Sequence, residues 1–337
     1  MTKKLFILCA ALVWTVSLMA QKISVVSPEG NTKLYKTLQE AINGAKDGSV
    51  VYLPGGKIIT NDSIIINKKL TIIGIGHKYN SDQADGTTSI RGKLFFCEGS
   101  SESALMGCYL EDVLEIGVDS STVSGITIRY CNLSYIEIKN EHCSEIVINQ
   151  NYIRNGIDSW HSSCDITNNI VRSVRGVDGG KIANNIVTSW TNGLGFPFGG
   201  DFYDRGTFLF CNNCLILNNI ILTYDDGYIK SGSNCEIYGN MMSNKEWGQD
   251  FINLIDVGWN DVFVNCNSWP TVSPAYNFHF KDEYKQYENQ VGIYAGDGFN
   301  DKQLAPVPYI VTKHVDEHTD ASGRLNIKIR VKASGEE

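Results

Sequence analysis

Beyond its first twenty residues this chain has no long hydrophobic run, which excludes a membrane-crossing helix from the rest of it. It also lacks a basic surplus. Lys and Arg number 29 against 37 Asp and Glu, a net charge of −8. Phosphate contacts need clustered cations, so nucleic acid is excluded as the expected partner. A strongly anionic polymer would need a local basic patch or a bridging cation. Metal-ligand spacing is missing too. The "CNNC" at Cys211–Cys214 has no second pair and no histidines at zinc spacing. It lies among strand-like runs, not at the helix start that a redox pair prefers. His142, His161, His279, His314 and His318 add only the four-residue gap between the last two, in a strand or turn. No metal site is assigned.

The start of the chain is a sorting signal in form. Lys3 and Lys4 precede an apolar run from Leu5 to Val16, and "SLMA" ends at Ala20. The run is short for a membrane span. Cleavage is expected near Ala20–Gln21, with export to the periplasm, the cell surface or the medium. Loss of the two lysines takes the charge from −8 to −10. Nine of the ten cysteines remain, an odd number in a compartment that permits disulfides.

What is present in abundance is a repeat. "ITNNIV" (166–171), "IANNIV" (182–187) and "ILNNII" (216–221) share one pattern. Asn151, Asn169, Asn185, Asn219 and Asn240 each have an apolar residue three before and two after. The pattern extends back to Cys131 and Cys108 and forward to Asn267, with Val264 and Trp269. A period near twenty with short Ile/Val-rich runs marks stacked strands. A leucine-rich repeat needs a leucine-dominated consensus, which is lacking. In "CDITNN" Cys164 and Ile166 share one face, and Asp165 and Thr167 the other, the period of a strand with one buried side. The fold expected is an all-β solenoid, a single-stranded right-handed parallel β-helix. The asparagines then stack about 4.8 Å apart at a bend. There each bonds the neighbouring coil and tolerates left-handed dihedrals. Counting back five residues puts Cys164, Cys214 and Cys235 in one inward column, with Gly180 in the coil after Cys164. Free buried thiols are favoured there over a Cys214–Cys235 disulfide.

Residues about 34–47 read as one amphipathic capping helix, with Leu34, Leu38, Ala41, Ile42 and Ala45 on its apolar side. "DGSVVYLPGGKI" and the first coil "LTIIGIG" come next. This wording resembles the pectin-lyase-like superfamily of β-helix proteins, over roughly residues 34–270. The resemblance implies the fold and leaves activity open, since the superfamily holds lyases, hydrolases, epimerases and proteins without known reaction. The body is expected to span 21–300, and 301–337 to hold a strand pair and tail. "PYIVTKHV" and the alternating "LNIKIRVK" form that antiparallel pair, covering or extending the C-terminal end. The tail resembles the endings of secreted Bacteroidetes β-helix proteins.

One coil, between Asn185 and Asn219, is 34 residues long. Its excess (189–206) carries Trp190, Asp201, Tyr203, Asp204 and Arg205, with Phe196, Phe198 and Phe202. Extra residues in a solenoid form a loop on one side, often the binding side. Aromatic faces stack on sugars and charged groups bond hydroxyls; the alternative is a flap packing its own aromatics on the wall. Register arithmetic brings Asp158, His161, Arg175, Asp178, Asp225, Asp226 and Lys230 alongside. "DDGYIKSGSN" (225–234) resembles the "DD…IKSGS" stretch of polygalacturonase-type hydrolases, implying Asp225 and Asp226 as acid and base with Lys230 beside them. It departs by one missing residue, and no Gly-His-Gly comes after it. "NGID" (155–158) is like that family's upstream signature but lies three coils away. A lyase would instead use Arg175 or Lys230 as base. Calcium ligated by Asp158, Asp178 and Asp225 could then neutralise a uronate. The expected function is an exported monomer that engages polysaccharide, as lyase or hydrolase; the alternative is a non-catalytic carbohydrate-binding or surface adhesion scaffold. The site comprises Asp178, Asp225, Asp226, Lys230 and Arg175 for chemistry. Trp190, Asp201, Tyr203, Asp204, Arg205, Asp158 and His161 hold the substrate.

Overall fold

A computed structural model of the protein describes residues 22–60, 63–78, 86–188, 208–221, 229–230, 233–243, 250–254, 257–266, 275–302, 304–305, 307–316 and 318–332. The segment expected to be a signal lies outside them. The chain is mostly β, and nearly all of its strands belong to an 11-stranded or a 15-stranded sheet, between which it passes repeatedly. Pairing is parallel throughout both sheets except at Ile23–Val26, which lies antiparallel to Thr32–Tyr35 and Ser49–Tyr52. Among the described residues no helix is long and apolar enough to cross a membrane.

The apolar positions of the repeat are the register of these sheets. Leu105, Ile128, Ile148, Ile166, Ile182, Ile216 and Ile237 pair in turn across the 11-stranded sheet. Leu110, Leu133, Ile153, Val171, Val187, Ile221 and Met242 do so across the other. The two rows belong to one buried core. Burial of this length of Ile, Val and Leu is the main term favouring the fold, at about 25 cal/mol for each Å² removed from water.

The asparagines join the two rows. Each side-chain oxygen accepts the main-chain amide of the preceding marker: Asn151 from Cys131 at 2.9 Å, Asn169 from Asn151 at 2.8 Å, Asn185 from Asn169, Asn219 from Asn185 and Asn240 from Asn219, each at 2.9 Å. Each side-chain nitrogen donates backward to the apolar residue's carbonyl, as Asn185 does to Ile166 at 2.8 Å. All five are fully buried. The chain's bend would otherwise strand these amides and carbonyls away from water.

The left-handed backbone expected of these asparagines falls instead on the residue before each. Tyr130, Gln150, Asn168, Asn184, Asn218 and Gly239 all have φ between 54° and 66°. The two asparagines of "NNI" thus have different tasks. The first turns the chain at low cost, because Asn visits the left-handed region more readily than most residues; the second bonds the neighbours.

The first asparagine also fastens a second layer. Tyr152, Ile170, Ile186, Ile220 and Met241 directly succeed the ladder residues and face outward, yet are buried. They are covered by Trp259, Val262, Phe263, Phe278, Phe280, Val291 and Ile293. After Leu254 the chain forms the short helix Trp259–Val262 and an antiparallel pair, Phe263–Asn265 with Asn277–Phe280. It then runs back along the bend. Gly292 N–H donates to Asn218 O at 2.8 Å, Asn168 Nδ2 donates to Ile293 O and Ala295 O at 2.9 and 2.7 Å, and Asn300 N–H donates to Gln150 Oε1 at 2.9 Å.

Several expectations need correction. The N-terminal helix is Leu38–Gly44, started by a Thr37–Glu40 capping box. Leu34 lies in a strand and is 59% exposed. Asn267 and Trp269 lie outside the described residues, but Val264 sits exposed in an antiparallel strand. The described repeat therefore ends at Asn240, and the segments from Trp259 to Ile293 serve as its cover. Tyr309–Val315 and Ile327–Lys332 pair antiparallel as expected, but as a separate two-stranded sheet. Residues 327–332 are exposed on both faces, so its apolar side does not serve as a packed cover. Among the described residues the thiols are free. Cys164 and Cys214 are buried, while Cys235 is only half-buried, because its strand is last in the 11-stranded sheet. Burial pushes the Cys211 and Cys214 thiols up to about 12, so neither is a ready nucleophile. Gly180 occupies its place because a Cβ there would meet Cys164 O at 2.2 Å.

Candidate functional site

A second outward row crosses the 15-stranded sheet on its other half. Leu114, Ile136, Ile157 and Val174 point inward and are buried. The residue after each points outward, and these pair in register: Glu115 with Glu137, Glu137 with Asp158, and Asp158 with Arg175. Arg175 pairs with Leu209, and Leu209 with Lys230, in the positions of their backbones. Three carboxylates and then an arginine thus stand on consecutive strands, about 4.8 Å apart along the sheet.

Local electrostatics distinguish these groups. Lys93 Nζ lies 3.4 Å from Glu115, and Lys139 Nζ lies 2.7 Å from Glu137. Among the described residues no lysine pairs with Asp158 in this way. Burial raises its carboxyl above the ordinary range, and the charge of Glu137 adds to this. The Trp160 amide, Arg175 and His161 pull it back. Its Oδ1 accepts the Trp160 N–H at 3.3 Å, so the carboxylate also closes the turn after its strand. Tyr135 lies beside the row and is 4% exposed; burial pushes its phenol up, with Asp158 and Glu137 adding. A bulge sits here. Leu133 pairs with Ile153 but Tyr135 pairs with Gly156, one extra residue on the later strand. Bulges of this kind re-aim side chains at sites.

The turn that ends the row carries exposed aromatics. Trp160 is 55% exposed and Phe210 37%. Both have left-handed backbone, φ 43° and 53°, as does exposed His161 at 67°. The Arg175 guanidinium lies 5.6 Å from the centre of the Phe210 ring.

The structure brings Asp158, His161 and Arg175 together, with Lys230 further along the same row by its backbone. It does not bring Asp178 onto that row. Asp178 opens the strand Asp178–Ala183 of the other sheet and accepts from Asn213 Nδ2 at 2.6 Å. Trp190, Asp201, Tyr203, Asp204, Arg205, Asp225, Asp226 and the side chain of Lys230 lie outside the described residues, as do Phe196, Phe198 and Phe202. Among the described residues no three His, Cys, Asp or Glu side chains gather closely enough to hold a metal ion. The calcium site expected of Asp158, Asp178 and Asp225 includes a residue outside them. Glu115, Glu137, Tyr135, Trp160 and Phe210 are additions to the expected set. The signal of the two glutamates in the sequence is a charge flanked by inward residues in "VLEI" and "YIEI".

Comparison of the chain with protein-family models, with curated proteins and with solved structures finds no match.

Proposed function

We propose that this is an exported right-handed parallel β-helix of the pectin-lyase-like type that engages polysaccharide along the row centred on Asp158 and Arg175. The fold reading is supported by the chain's repeated return to two mainly parallel sheets and by the asparagine ladder between them. The handedness accords with the general rule for parallel crossovers. One observation carries the functional reading: the in-register Asp158–Arg175 pair, with exposed Trp160 at its end. An acceptor and a bidentate donor bond sugar hydroxyls, and an indole face covers their C–H surface.

A catalytic reading is favoured by the raised carboxyl of Asp158 next to Glu137. Paired carboxylates of unequal acidity can protonate a leaving oxygen and activate water. Affinity electrophoresis through a panel of polysaccharides tests binding; retardation that is lost in Arg175→Ala is expected. Release of reducing ends or of ultraviolet-absorbing unsaturated uronate, lost in Asp158→Asn, would assign hydrolase or lyase chemistry. No retardation by any polysaccharide would refute the proposal.

A further inference from the structure

At the opposite end of the strand Tyr152–Asp158, about 20 Å from Asp158 along the backbone, a pocket opens between the coils and the returning segment. Its lining includes Tyr152, Tyr276, Phe278, Phe299, Lys78 and Asp301.

The base holds an orphaned phenol. Tyr152 is 3% exposed, and among the described residues its hydroxyl has no hydrogen-bond partner. Burying a hydroxyl in this way is costly. The fold does not require it. Ile170, Ile186, Ile220 and Met241 hold the same place on the strands that succeed it in the sheet. Tyr152 thus brings a polar group to the pocket where an apolar one would serve the packing.

Asp301 stands at the mouth with its side chain 54% exposed. Its neighbours hold it in place. Oδ1 accepts the Tyr294 O–H at 2.7 Å, and Oδ2 lies 3.3 Å from His279 Nε2. The His279 ring is stacked on Tyr294 with centres 3.9 Å apart, and its Nδ1 bonds Glu288. Lys78 Nζ donates to Asp301 O at 3.3 Å. An ionised carboxylate accepts about four hydrogen bonds and an ammonium donates more than one, so both keep capacity for a ligand. Support of this kind from neighbouring side chains is what a precise binding group needs.

The lining selects the chemistry of the ligand. A cation would meet Lys78 and an anion Asp301, whereas a neutral hydroxyl accepts from one and donates to the other. Half-buried Tyr276 and Phe299 present apolar surface to C–H groups. The enclosed part takes a group about the size of a water molecule, and the remainder is open. It therefore admits one arm of a ring whose body rests at the mouth, and not the middle of a chain.

We propose that this pocket binds the terminal unit of a neutral glycan, with a hydroxyl of that unit paired to Tyr152 and Asp301 beside it. The assignment comes from the lining and is independent of the Asp158–Arg175 row. Chain ends are scarce in a long polysaccharide, so short glycosides are the ligands that report on this site.

The test is ligand-observed NMR titration of the full mature chain with the methyl β-glycosides of glucose, galactose and mannose. At least one is expected to bind. Tyr152→Phe removes only the hydroxyl and should weaken that binding at least tenfold, while the thermal midpoint of the unliganded chain holds or rises. A tyrosine whose hydroxyl is bonded within the fold, or to a resident water alone, would instead lose stability. Asp301→Asn should weaken binding as well, and Arg175→Ala should leave it within twofold. Failure of all three glycosides to bind overturns the pocket and leaves the row to its own electrophoretic test. Binding that survives Tyr152→Phe within twofold, or a lowered midpoint in that variant, also overturns it. Binding lost in Arg175→Ala but kept in Tyr152→Phe overturns the pocket and supports the row.

Discussion

Asn169 and Asn185 are joined twice. The Asn185 side-chain oxygen, 2.9 Å from the Asn169 main-chain nitrogen, is also 3.1 Å from its side-chain nitrogen. Asn185 in turn donates to Ile166 O and to Asn219 Oδ1. Replacing Asn185 by Leu leaves the Asn169 amide and the Ile166 carbonyl buried without these partners. A loss of roughly 1–3 kcal/mol is expected for each orphaned group. Urea denaturation measures it, and affinity for glycan should be unchanged at the distant row.

Asn168 combines a left-handed backbone with two bonds to the returning segment. Asn168→Gly keeps the turn and removes the bonds; Asn168→Ala removes both and should be the less stable of the two. In either variant, amide exchange at residues 293–296 should quicken more than exchange in the strand Cys164–Thr167. Equal quickening of both would contradict a role for Asn168 as fastener.

Asp158 has its carboxyl raised in the folded state. Above its unfolded value the folded chain therefore binds the proton more tightly than the unfolded chain does, and stability falls as pH rises through the folded value. At neutral pH the ionised group destabilises. Asp158→Asn retains an acceptor for the Trp160 amide. It should raise the midpoint of unfolding at pH 7 more than at pH 3, where wild-type Asp158 is protonated in both states. A larger gain at pH 3 would reverse the assigned sign.

Thiol reagents should separate the cysteines by depth. Cys164, Cys211 and Cys214 are buried and their thiols are raised. They should react only after denaturation, whereas half-buried Cys97 and Cys235 react first. Mass mapping of maleimide adducts on the native protein checks the order.

The ladder was legible because one residue type repeats at a fixed offset from two apolar positions. The second layer was legible in principle. "NNIV" and "NNII" place two apolar residues in succession, and a strand cannot turn both inward, so the first must be covered from outside. The carboxylate row was harder to see. Its members stand seven residues after Cys108 and Asn151 but six after Cys131 and Asn169, because bulges add a residue in alternate passes. Arithmetic from the asparagines therefore found Asp158 and Arg175 but not Glu115 or Glu137. It also carried Asp178 onto the row, although the left-handed turn at Gly176 sends it to the other sheet.

Glycan lying along the Asp158–Arg175 row is the central claim. Amide exchange read by mass spectrometry, with and without the tightest-binding polysaccharide of the panel, tests this most directly. Protection confined to peptides covering 153–161, 172–178 and 208–212 is the predicted result. Protection confined instead to 277–302 or 309–332 would contradict it.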